Sequence, residues 1–526
     1  MLGPPKLRVA DQPVTVTLES LVPADHFYRH LDAKLDLTFV RDWVQECYAE
    51  HGRPSIDPVV FFKLQLIMFF EGIRSERRLI ETASLHLAHR WYLGYGLDEP
   101  LPDHSSLTRI RQRLGLAIFE RFFEHVVELC QQAGLIWGRE LFFDATKVRA
   151  NAALNSVVPR FYVQAKEQTQ AHLAALFADK PEGVPNPAMV SITATPEQER
   201  ADAEVCFPPT RLPTELTTEA EAALADVNQT VWKLLEQRRL DPRRGAARSY
   251  QRLTALRTSP TDPDAALMND GRRATLGYHD HYVVDGGKQR IILAALVTPA
   301  DVMENTPMLD LLWRVRFRWH LRPKRVVGDT TYGTVENIQA VEEAGIRAYV
   351  PLPNWDQRTP FYGPSRFTYD RERDEYRCPE GHPLSRFTAK YTEGVTVYRA
   401  DAATCNACPV KAACTTSEHG RTLHRSFQAE YLERVQAYHE RPGYLKAMRK
   451  RSVWVEPLFG EAKQWHGLRQ FRLRGLDNVN MEALLVAAGQ NLKRWLAQAG
   501  WGRRYGPQGS LLARSTLLMR AATASV

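Results

Sequence analysis

The sequence predicts a mixed α/β fold, on three observations. Its first 135 residues carry helical periodicity and capping signals with no strand pattern. Two short apolar runs, "LFFDATKV" (141–148) and "KRVVGDTTYG" (324–333), read as buried strands that each hold one aspartate. Between and after them come a hairpin pattern and a strand–helix–strand pattern, the alternation that builds a mixed sheet covered by helices. A chain of 526 residues exceeds one ordinary core, so two to four domains are expected.

Each element has a local reason. In residues 1–135, Asp57 before Pro58 is an N-cap and first-turn pair for a helix that runs to Gly72, and Ser75 caps a second, "ERRLIETASLHL". The turn signal "DEPLPDHSS" precedes "LTRIRQRLG" and the long "LAIFERFFEHVVELCQQAG", which stops at Gly134. Short helices joined by tight turns, with Arg109, Arg111 and Arg113 on one of them, suit a helix-turn-helix-like DNA reader as well as an ordinary bundle. Residues 136–150 and 270–353 supply the α/β core. There "LGYHDHYVVD" and "QRIILAALVTP" form a hairpin around "DGGK", a helix spans about 304–317, and "VENIQAVEEAG" with "RAYVPLP" completes a β-α-β unit. Residues 151–269 read as a mainly helical insertion without strands. Residues 354–443 read as a loop-like, aromatic, cysteine-bearing insertion, 444–500 as long helices, and 501–526 as a frayed basic tail.

The composition, 44% hydrophobic and 25% charged, argues against global disorder. The most apolar stretch, residues 59–70, is too short to span a bilayer and contains Lys63. No secretory signal is visible, so a cytoplasmic, nucleoid-associated location and no membrane partner are expected. The net charge of +8 is unevenly placed: residues 444–526 hold 14 Lys or Arg against 4 Asp or Glu, and all others 55 against 57. A positive excess confined to one end points to a polyanion, and nucleic acid is the usual one.

Asp144 and Asp329 share a context, a short apolar strand carrying one carboxylate. Burying such a group is costly unless a charge or a metal compensates it. Two carboxylates on adjacent strands facing one point offer the oxygen ligands that hard divalent cations need. Two such ions roughly 3.5–4 Å apart can activate an attacking oxygen and stabilise a leaving one in phosphoryl transfer. A third acid is then wanted from a helix packed on the sheet, and "YLKAMRKRSVWVEPLFGEAKQWHGLRQFRLRG" (444–475) offers it.

The strand aspartate, the later "GDTTYG", and a Tyr…Arg…Glu…Lys segment followed by "FRLRG" and "AAGQNLKRW" resemble the DDE transposases of bacterial insertion sequences. The nearest branch has a helical insertion after the first Asp, ending near "TDPDA", and a cysteine-rich insertion before the Glu. The resemblance runs over about residues 20–495 and implies an RNase H-like catalytic core whose three acids bind two Mg²⁺ or Mn²⁺ ions. It also implies binding of inverted-repeat ends, DNA cleavage, and joining of the 3′-hydroxyls to target DNA, with a homodimer in the active complex. Carried onto this sequence, Asp144, Asp329 and Glu456 match the catalytic acids. Lys463, seven positions after Glu456, lies two turns on along the same helix face. Tyr444 and Arg451 match the motif's other members, although Arg451 precedes the Glu by five positions instead of four. Glu461 is a rival third acid whose register to Lys463 is wrong. Arg449, Lys450, Arg451, Lys463, Arg472 and Arg474 surround the third acid, where DNA phosphates must lie. A catalytically inactive DNA-binding remnant and an RNase H-type nuclease without strand transfer are the alternatives.

Seven cysteines in such a chain do not suggest a disulfide framework. Cys47, Cys130 and Cys206 stand alone as core thiols. Cys378 in "YRCPEGHPL" and Cys405, Cys408 and Cys414 in "CNACPVKAAC" form a candidate structural zinc site, with His382 able to replace one thiolate.

Overall fold

The computed structural model describes residues 13–48, 55–159, 257–271 and 273–501. Most of the expected helical insertion, nearly all of the basic tail, and Cys206 lie outside the described residues.

The central sheet is built on β1 (Glu140–Arg149), β2 (Arg273–Asp285), β3 (Ile292–Pro299), β4 (Arg325–Val327) and β5 (Arg347–Tyr349). Its order is β3-β2-β1-β4-β5. The first three strands form an antiparallel meander, and β4 and β5 run parallel to β1. This is an RNase H-like core of mixed α/β type. The apolar runs of β1 and β3 are what strands covered on both faces require. Antiparallel partners share a face, so the register Asp144↔Tyr282 and Thr146↔Asp280 places these four side chains on one side of the sheet.

One strand was unexpected. Ala266–Asp270, within the stretch expected to be helical, pairs with the start of β2 through the turn at Asp270–Gly271. Gly271 has φ 69°, a conformation that glycine adopts without strain, so Asp-Gly was the available hairpin signal.

The N-terminal helices are α1 (Phe27–Lys34), α2 (Pro58–Phe70), α3 (Glu76–Leu85), α4 (Leu87–Leu93) and α5 (His104–Gln132). Asp57 and Ser75 cap α2 and α3 as expected, accepting from Val59 N and Arg78 N. The two helices expected over 107–133 are continuous except at Gly115, where φ 67° and ψ 173° kink α5. These helices do not form a separate unit. One apolar cluster runs from Leu31, Phe62 and Phe122 to Phe142, Val284 and Leu484, so residue 135 marks no break in the core.

Helices α6 (Met308–Arg318) and α7 (Val335–Glu343) flank β4. After a second sheet come α8 (Ala429–Tyr438), α9 (Pro442–Trp454), α10 (Glu456–Trp465) and α11 (Leu476–Gln498). Helix α11 closes the free edge of β3 with two buried side chains. Asn491 accepts from Ile292 N at 2.9 Å and donates to Ile292 O at 2.8 Å. Asn480 does the same to Val297, at 2.7 and 3.0 Å. Eleven residues of helix and five of strand both span about 16.5 Å, so the two amides arrive in register with the edge. An uncovered edge would leave these backbone groups buried and unpaired.

The cysteine-bearing insertion is a five-stranded antiparallel sheet and not the loop-like segment its composition suggested. Its strands are β6 (Thr368–Asp370), β7 (Glu375–Arg377), β8 (Pro383–Lys390), β9 (Val395–Ala400) and β10 (Thr422–Ser426), in sequential order. The alternation in "VTVYRA" was the legible signal. The sheet has its own small core of Phe367, Leu384, Tyr398, Ala400, Cys414 and Leu423.

Candidate active site

The parallel register Phe142↔Val327, continued two residues, sets Asp144, in the middle of β1, level with Asp329, just past the end of β4. Asp329 stops its strand by accepting Thr331 N at 2.8 Å, the cap of a single 3-10 turn. One guanidinium joins the pair: Arg451 Nη2 lies 3.0 Å from Asp144 Oδ1 and 3.6 Å from Asp329 Oδ2. Asp144 is 8% exposed. Burial pushes its carboxyl above the ordinary range, and the Arg451 charge pulls the other way.

A further acid stands beside this pair. Glu304 lies in the turn before α6, because Pro307 delays the helix expected from residue 304. Burial first, and then the charges of Asp329 and Asp144, raise its pKa, and its Oε1 is 3.7 Å from His279 Nε2. Sequence reasoning missed Glu304, since "DVMENTPM" carries no signal beyond an acid after a strand.

Helices α9 and α10 meet at Val455, and Glu456 opens α10 with an exposed side chain. The break absorbs the extra residue between Arg451 and Glu456, since the five-residue spacing spans a junction and not a continuous helix. Two turns further, Lys463 Nζ donates to Thr146 Oγ1 at 2.6 Å, on the sheet face that carries Asp144. Burial lowers the Lys463 pKa, with Asp270 and Asp280 opposing. Phe459 stacks on Tyr282 with centroids 4.5 Å apart and seats α10 on that face. Glu461 points elsewhere. Despite its burial, a His466 hydrogen bond and the Arg494 and Lys493 charges hold its carboxyl well below the ordinary range. It is a structural ion pair, tied to Lys493 and Arg494 on α11.

Several residues expected to contact DNA are turned inward. Arg111 is 2% exposed and paired with Glu76, which also takes Arg472 Nη1 at 3.0 Å. That triad ties α3 and α5 to the loop before α11, so neither guanidinium is free. Tyr444 is buried between the rings of Tyr349 and His439. Lys450 is paired with the buried Glu140 and donates to Gly286 O. In each case an internal acid, carbonyl or ring captured a side chain whose partner the sequence could not name. Arg109, Arg113, Arg449 and Arg474 are exposed.

Cys378, Cys405, Cys408, Cys414 and His382 line one cavity of about 120 Å³ against the second sheet. Cys378 Sγ accepts His382 N at 3.3 Å around Gly381, whose φ is 80°. Among the described residues, no three His, Cys, Asp or Glu side chains approach closely enough to hold a metal ion, at the thiols or at the acids. The chemistry of the acid pair nonetheless fits a divalent cation, because two carboxylate oxygens from different strands already share one positive charge. Cys130 is a buried core thiol, as expected, its pKa pushed up to about 12 by burial.

Among the described residues no helix is long and apolar enough to cross a membrane. No curated protein and no solved structure matches the chain. Two family models do: a transposase domain (DUF772) over residues 16–113, and a transposase DDE domain over residues 377–496. The second covers Glu456 and Lys463 and leaves Asp144 and Asp329 outside it. The two matches occur in the order the resemblance requires, one on the N-terminal helices and one from the end of β7 through the helices α8 to α11, on either side of the RNase H-like strands. Both matches are to transposase domains, so the chain is similar to the DDE transposases of insertion sequences.

Proposed function

We propose that this transposase binds the inverted-repeat ends of its element, cleaves them, and joins the 3′-hydroxyls to target DNA, with Asp144, Asp329 and Glu456 as ligands of two divalent ions. The observation that carries the reading is the convergence of two aspartates from adjacent strands on one cation, Arg451. When bound, Mg²⁺ or Mn²⁺ supplies charge to the attacking and leaving oxygens of an in-line displacement. The chain's own residues position the DNA. Strands hold Asp144 and Asp329, and Glu456 opens α10, the helix whose Lys463 reaches that sheet. Thr146 fixes the Lys463 ammonium on the sheet face that carries Asp144, where it can take a backbone phosphate. The exposed Arg109 and Arg113 are the groove-facing candidates on α5, and Arg449 and Arg474 the phosphate contacts near the acids.

The test uses the full chain, Mg²⁺, and duplexes ending in the inverted repeats that flank its coding region. Joined product with end-specific nicks is expected. Nicks without joining favour a nuclease, and end binding without nicks favours an inactive remnant. Either result overturns the proposal.

We further propose that the four thiols hold one structural zinc ion, drawn together from the cavity they already line. Protein purified without chelator should contain about one zinc per chain, lost in Cys405→Ser or Cys408→Ser. Metal analysis finding none would remove this site.

A further inference from the structure

Arg451 occupies the position that the proposed metal ligands would give to a cation. Its Nη2 is within 3.0 Å of Asp144 and 3.6 Å of Asp329, and Glu304 adds a third nearby carboxylate. One guanidinium against three acids leaves excess negative charge, which Lys147 on the same strand only partly offsets. The seat is also imperfect for an arginine. Nε of Arg451 is buried with no hydrogen-bond partner among the described residues, although a guanidinium offers five donors. Arg451 sits in the last turn of α9, four residues before the break at Val455, so its long side chain can swing without moving the sheet.

We propose that Arg451 is the resident cation of the Asp144–Asp329 pair in the metal-free protein, that it and a divalent ion exclude one another there, and that the displaced guanidinium is delivered to a DNA phosphate. The proposal rests on the reading of the two aspartates as metal ligands. Guanidinium forks match phosphate oxygens well, so the released side chain satisfies there the donors that the acid pair leaves idle. Metal and DNA then favour one another. DNA draws Arg451 off the acids and frees the metal position, and the metal expels Arg451 toward DNA. Linkage requires the two effects to be equal in size, and couplings of this kind run roughly 5–150-fold.

The experiment compares full-length wild type, Arg451→Gln and Asp329→Asn. Mn²⁺ affinity is measured by calorimetry without DNA, and affinity for an end duplex with and without Ca²⁺. Arg451→Gln is expected to bind Mn²⁺ about tenfold more tightly than wild type, because no internal cation competes. Wild type is expected to gain about tenfold in duplex affinity when Ca²⁺ is added, a gain absent from Arg451→Gln. Should Arg451→Gln not fold, Arg451→Lys serves instead: it keeps the charge without the fork, and an intermediate Mn²⁺ affinity is expected. If Asp329→Asn loses Mn²⁺ binding but the Arg451 variants bind it no more tightly than wild type, the competition is disproved while the ligand reading stands. If Asp329→Asn binds Mn²⁺ as wild type does, the ligand reading itself fails and the proposal falls with it.

Discussion

Asp144→Asn protein is expected to bind the element's ends and to cut them at least about a thousandfold more slowly, a loss on the order of 4 kcal/mol of transition-state stabilisation. The side chain lies in the middle of a central strand with its carboxylate committed to a cation, and an amide keeps the shape while removing the charge. Asp329→Asn should behave alike. Glu456→Gln is the sharper test, because its side chain is exposed and an exposed substitution rarely shifts stability by more than about 0.5 kcal/mol. A loss of cleavage there, with unchanged melting temperature and unchanged end binding, reports chemistry and not folding. Single-turnover cleavage of a labelled end duplex, run beside a gel shift, separates the two. Cleavage by Glu456→Gln at the wild-type rate would sink its assignment, and Glu304→Gln would be the next variant to measure, since both aspartates raise the Glu304 pKa.

The largest stability effect is expected far from the acids. Asn491→Leu strips Ile292 of both partners, leaving a buried N–H and a buried C=O unpaired on the edge of β3. Each such group costs about 1–3 kcal/mol, so a destabilisation of about 3 kcal/mol is expected. That corresponds to roughly a 4 °C fall in melting temperature for a unit of this size. Asn480→Leu should cost a similar amount at Val297, and the double variant the sum, because the two amides are about 16.5 Å apart along the helix and share no partner. Thermal denaturation of the full chain measures all three. An unchanged melting temperature for Asn491→Leu would mean that the edge finds other partners.

These residues show where sequence reasoning succeeds. Asp57 and Ser75 were legible as caps because a cap is decided within three residues of itself. The strands around Asp144 and Val326 were legible because buried strands need uninterrupted apolar runs. The alternation in β9 and the Asp270–Gly271 turn were equally local, and were outweighed by the polar composition around them. The pair Asp144 and Asp329 was legible as a constellation, because each shows a lone carboxylate after a short apolar run.

Side-chain destinations were not legible. Arg109, Arg111 and Arg113 look equivalent in sequence, yet Arg111 is claimed by Glu76, whereas Arg113 reaches Ser55 and the ring of Tyr48. Lys450 and Arg451 are neighbours in the basic segment, and the turn of α9 sends one to Glu140 and the other to Asp144. Asn491 sits inside "AAGQNLKRW" with nothing local to say that it pairs with a strand about 200 residues earlier. Local sequence sufficed for the caps, the central strands and the mixed α/β class, because backbone propensity and burial pattern act over a few residues. Only the packing of distant segments decided which charges meet and which edge is closed. Those outcomes depend on partners brought together across hundreds of residues, where a side chain's charge is known in advance but its neighbour is not.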